Sequence, residues 1–114
     1  MTVKPMHYKC IHVQEAQELL NDPGIVIVDI RDKVSFQAGN IPNSINLSNE
    51  DIIDFLDSTD RSAPLLIYCY HGINSKDAAE YFVNNGFHTV LILMVGILNF
   101  LSRSSDKYHR IYCG

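Results

Sequence analysis

The sequence predicts an α/β fold, a largely parallel sheet with helices on both faces. Two short, β-branched and almost unbroken apolar runs, Ile25–Ile30 and Leu65–Cys69, suit strands buried on both sides. Stretches with helical spacing separate these runs, and strand and helix alternate along the chain with no linker or repeat. The chain of 114 residues is 46% hydrophobic and 19% charged, which suits one domain, 1–114, with a core of its own.

Val13, Ala16, Leu19 and Leu20 share one helical face, and Asn21-Asp-Pro-Gly24 stops that helix with turn chemistry. The Ile25–Ile30 strand comes next, then a short helical pattern over Lys33–Ala38 and the break Gly39-Asn-Ile-Pro42. Ser44–Leu47 alternates weakly, as a short strand would. Ser48 or Asn49 is expected to cap a helix running through Asp57, with Glu50 and Asp51 in its first turn. The strand Leu65–Cys69 leads into a Gly-containing loop and a helix over Ser75–Asn84, ended by Asn84-Asn-Gly86. Thr89–Met94 reads as a further buried strand and Ile97–Leu101 as a short helix.

A net charge of −4 offers no basic excess for phosphate backbones, so nucleic acid is not an expected partner. The longest apolar stretch, Val90–Leu101, is 12 residues against the ~20 of a membrane span, so no membrane partner is expected. Cys10, Cys69 and Cys113 show neither a disulfide framework nor metal-ligand spacing. With no signal-like apolar run at the N-terminus, the expectation is a cytoplasmic domain with reduced thiols and no metal.

The chemistry concentrates at Cys69-Tyr-His-Gly-Ile-Asn-Ser75. A loop this short between strand and helix curls its successive N–H groups into one concavity, next to the positive end of a helix. Gly72 supplies the backbone freedom that such a curl needs. A thiol at the mouth of the nest is favoured as its thiolate and becomes a good nucleophile. Position alone is also compatible with an inert packing cysteine.

Val28-Asp-Ile-Arg-Asp32 with Ser35-Phe36, then Cys69-Tyr-His-Gly72, Ser75-Lys76 and Ala78-Ala79, resembles the single-domain rhodanese family, in particular its GlpE-type thiosulfate sulfurtransferases. The resemblance covers roughly residues 9–93 in matching order. It implies a three-layer sandwich around an approximately five-stranded sheet. It also implies an enzyme that moves sulfane sulfur from thiosulfate to cyanide, or to a small or protein thiol, through a persulfide on Cys69. In that reading Tyr70, His71, Gly72, Ile73, Asn74 and Ser75 form the cradle, and Lys76 attracts the anionic donor. Asp29 and Arg31 match a pair that shapes the fold near the site, and no cofactor is implied.

Tyrosine phosphatases place an arginine five residues beyond the loop cysteine's neighbour, to clamp phosphate with a planar fork. Ser75 occupies that position, and Lys76 one residue later is a point charge, so phosphatase chemistry is not expected. The sequence departs from the resembled pattern at Asn40, at Asn74 and at Met94-Val-Gly-Ile97, where Asp-Gly-Gly and an aromatic are usual. That last departure motivates the alternative of a catalytically weak sulfur-carrier or interaction module.

His71 is read as loop-shaping, because attack of a thiolate on sulfane sulfur needs no proton transfer to begin. His7, His12, His88 and His109 show no ligand spacing, and Cys10 and Cys113 lack an electropositive setting. Glu50, Asp51, Asp54 and Asp57 suggest a solvated acidic face. Arg61, Arg103, Lys107 and Arg110 are further cations, all distant from the loop in sequence.

Overall fold

The computed structural model describes residues 8–69 and 73–93, with Ile73 and Asn74 by their backbone alone. In chain order the elements are β1 (Tyr8–Ile11), α1 (Val13–Leu19), β2 (Val26–Asp29), α2 (Lys33–Ala38), β3 (Ile45–Asn46), α3 (Ile52–Ser58), β4 (Leu65–Tyr68), α4 (Ile73–Asn84) and β5 (Val90–Leu93). The strands form one five-stranded sheet, ordered β1-β5-β4-β2-β3, and every pairing is parallel. The expected α/β architecture is therefore present.

The chain steps one way from β2 to β3, then back across β2 to β4 and on to β5. Parallel crossovers are right-handed, so reversing the direction of travel moves the connecting helices to the opposite face. Val28, Leu65, Ile67, Val90 and Ile92 accordingly pack under Phe55 and Leu56 of α3 and Ala79, Phe82 and Val83 of α4. The alternate residues Ile27, Leu66, Tyr68 and Leu93 meet Ala16 of α1 and Ile41 on the other side. Side-chain alternation along each strand thus sorts two apolar clusters.

Three phenylalanines anchor the α3–α4 side. Phe82 meets Phe55 and Phe87 edge-on, with ring centroids 5.6 Å apart in each pair. Gly86, at φ 100°, ends α4 in a Schellman turn, with Gly86 N–H donating to Val83 O and Phe87 N–H to Phe82 O. Arg61 stacks over Phe87 at 5.0 Å and donates to the carbonyls of Asn85 and Leu56, where α3 and α4 end. It serves that end of the fold, opposite the ends of the strands that carry the site.

Several boundaries differ from those read in the sequence. Strand β1 was not anticipated, because Tyr8-Lys-Cys-Ile11 is a four-residue edge strand with a single buried side chain. Helix α3 starts at Ile52 rather than near Glu50, because the Asp51 carboxylate accepts from Ser48 Oγ at 2.7 Å and holds residues 48–51 as a turn. Glu50 and Asp51 consequently precede the helix, and Asp54 is the acid of its first turn. Helix α4 begins at Ile73, two residues before the expected start. Met94 and the short helix expected over Ile97–Leu101 lie outside the described residues.

Candidate active site

The direction reversal leaves a crevice at the C-terminal ends of β2 and β4, because the chain leaves these two neighbours toward opposite faces. Cys69 follows β4 directly at that crevice and is 4% exposed. The register pairs Asp29 with Tyr68, and Ile30 N–H donates to Tyr68 O at 3.2 Å, so Ile30 lies abreast of Cys69. The alternation that turns Leu65 and Ile67 toward α4 extends to Cys69.

Only residues 70–72 separate Cys69 from α4, a 12-residue helix. The first N–H groups of such a helix have no intrahelical acceptor and carry its positive dipole end toward the loop. In the first turn, Ser75 is fully buried and its Oγ has no hydrogen-bond partner among the described residues. Buried hydroxyls are rarely left in this state, so the position asks for an acceptor. Lys76 is half-buried beside it. Tyr70, His71 and Gly72, expected to form the cradle, lie outside the described residues, while Ile73 and Asn74 are the first two residues of α4.

Behind the crevice, on the opposite face of the sheet, a buried polar network fixes the loops. Asp29 accepts from the Arg31 guanidinium at 2.7–3.1 Å, and Arg31 Nη2 also donates to Gly39 O at 2.6 Å. Burial lowers the Arg31 pKa, but the hydrogen bond and charge of Asp29, with help from Tyr68, more than offset this and raise it. Tyr68 Oη accepts from Ile41 N–H at 3.2 Å and pairs with Ser44 Oγ at 3.1 Å, which ties the segment after α2 to β4. Asn46 Nδ2 donates to Arg31 O at 2.8 Å and to Asp29 O. Tyr68, Ser44 and Asn46 were missed in the sequence; a tyrosine inside a buried strand, whose hydroxyl must find a partner, is the signal that points to them.

Among the described residues no group of three or more His, Cys, Asp or Glu could hold a metal ion, and His12 and His88 are exposed. Nor does any described helix have the length and apolarity to cross a membrane. A cavity of about 830 Å³ adjoins the crevice on the α3–α4 side.

A cysteine at the switch point of a parallel sheet, three residues short of a helix N-terminus, is the arrangement in which α/β domains commonly bind anionic groups. The description "Rhodanese-like domain" matches residues 12–103, and the chain belongs to that family. It is 40% identical over 105 residues to a thiosulfate sulfurtransferase GlpE of Pseudoalteromonas translucida, a match covering 92% of this chain and 100% of that one. Another thiosulfate sulfurtransferase GlpE, from Coxiella burnetii, is 40% identical over 80% of this chain and 85% of its own. Among solved structures, a rhodanese-related protein from Thermoplasma volcanium shares the fold with TM-score 0.71 at 20% identity, covering 94% of this chain and 100% of that one.

Proposed function

We propose that the protein is a thiosulfate sulfurtransferase that works through a persulfide on Cys69. The observation that carries this reading is the buried Cys69 at the end of β4, three residues short of α4, whose first turn holds a buried Ser75 hydroxyl with no partner among the described residues. The Cys69 thiolate attacks the outer sulfur of thiosulfate; the S–S bond breaks and its electron pair leaves with sulfite. The persulfide then sits where the loop amides, the first turn of α4 and Ser75 Oγ stabilise its charge. Tyr70, His71, Gly72, Ile73, Asn74 and Ser75 form that cradle, and Lys76 draws in the anionic donor. Asp29 and Arg31 hold the neighbouring strand end in place. Cyanide, or a thiol, takes the outer sulfur and restores the Cys69 thiolate. The curated relatives at 40% identity, named as thiosulfate sulfurtransferases, support this reading. Multiple turnovers of thiosulfate and cyanide, abolished in Cys69→Ser, are expected. Stoichiometric loading without turnover would instead favour the sulfur-carrier alternative.

A further inference from the structure

A cavity whose wall includes Ile30, the residue abreast of Cys69, differs in character from the site proposed above for thiosulfate. Ile30, Leu47, Ile52 and Tyr81 give it an apolar wall, and Asp32 and Asp77 carry its negative charge. Arg31 is the cationic lining residue, and its guanidinium is turned into the ion pair with Asp29 at 2.7 Å. Ile30 lies abreast of Cys69, and Asp77 sits on the helix that follows the loop, so the cavity reaches the strand position next to Cys69, which does not itself line it. A dianionic donor gains nothing from such a lining.

We infer that this cavity is the acceptor subsite and that it selects small thiols bearing an ammonium group a few carbons from the sulfur. The inference rests on the sulfurtransferase reading above and extends it to the second half-reaction. The carbon chain of the acceptor lies against Ile30, Ile52 and Tyr81 while its ammonium group faces Asp77. The charged Cys69 persulfide takes up one proton from solvent; the acceptor thiolate then attacks the outer sulfur of Cys69–S–S–H, and a new S–S bond forms as the old one breaks. The electron pair of the broken bond returns to Cys69 Sγ, and the proton stays on the transferred sulfur. No oxidant or reductant is consumed. Donor and acceptor thus approach one sulfur from surfaces of opposite charge: the helix N-terminus with Lys76, and the acidic cavity.

The test begins with protein loaded by thiosulfate and freed of excess donor. Single-turnover transfer is then followed by loss of the added sulfur, to cysteamine or to 3-mercaptopropionate. The ratio of the two rates is compared between proteins, so the intrinsic reactivity of each thiol cancels. Asp77 is exposed, so its substitution leaves the core intact. Asp77→Asn is expected to lower the cysteamine-to-mercaptopropionate ratio by ~3- to 10-fold, the scale of one partly screened charge. Asp77→Lys is expected to lower it further, and Asp57→Asn, an exposed α3 carboxylate outside the cavity, to leave it unchanged. A ratio equal in all four proteins would overturn the inference while leaving the sulfurtransferase reading intact. Failure of the wild-type protein to load would overturn that reading, and the inference with it.

Discussion

Arg31 closes a fork onto Asp29, two residues upstream, with Nη2 2.7 Å from Oδ2 and Nε 3.1 Å from both carboxylate oxygens. Both side chains are buried, at 3% and 0% exposure. A buried pair adds little over an apolar replacement of the same shape, but breaking it strands one charge. Arg31→Met should therefore cost ~3–5 kcal/mol, read from the urea midpoint. Arg31→Lys should cost less yet still lower the midpoint, because a lysine cannot span Asp29 and Gly39 O with a planar fork. A loss below ~1 kcal/mol for the methionine variant would show that the pair does not hold this strand end.

Tyr68 links stability to alkaline pH. Burial pushes its phenol pKa up; the hydrogen bonds with Ser44 and Ile41 oppose this, and Asp29 adds to it. The folded pKa lies above the unfolded one, so the contribution is full below the unfolded value of ~10 and is lost as pH rises through the folded value. Tyr68→Phe should cost ~1–3 kcal/mol at neutral pH, since Ile41 N–H loses its acceptor. The same variant should flatten the decline in stability above about pH 10, measured by chemical denaturation across that range.

Gly86 isolates a backbone effect from packing. An added Cβ would meet nothing nearer than the Arg61 side chain at 3.8 Å, so there is room for it. The φ of 100° still penalises any L residue. Gly86→Ala should destabilise by ~1–2 kcal/mol in thermal or urea unfolding, with sulfur transfer by the folded protein unchanged.

Much of this architecture is legible in the sequence because parallel strands buried on both faces leave unbroken apolar runs. Ile25–Ile30 and Leu65–Cys69 enclose the observed β2 and β4, and Lys33–Ala38 matches α2 residue for residue. Strand β1 is hidden because an edge strand of four residues buries too little to leave a pattern. The start of α3 is hidden because the Ser48–Asp51 contact makes a turn from residues that serve a helix cap equally well. At the site, Cys69 stands out through its position between strand and helix, while the Tyr68–Ser44 tie spans 24 residues and has no local signature.

Ser75 separates a role in chemistry from a role in folding. Among the described residues its hydroxyl has no hydrogen-bond partner, so Ser75→Ala removes a buried polar group without breaking a hydrogen bond to any of them. Stability should be unchanged or slightly higher. If the hydroxyl donates to the charged sulfur, loading from thiosulfate should slow by ~10-fold or more, the scale of one hydrogen bond to a charged group. Equal loading rates in the two proteins would remove Ser75 from the cradle.

The persulfide itself gives the most direct test. Intact-mass spectrometry after incubation with thiosulfate should show one added sulfur atom, peptide mapping should place it on Cys69, and cyanide should remove it. Cys69→Ser should show no added sulfur under the same conditions. A folded wild-type protein that gains no sulfur, or gains it at Cys10 or Cys113, would contradict the account.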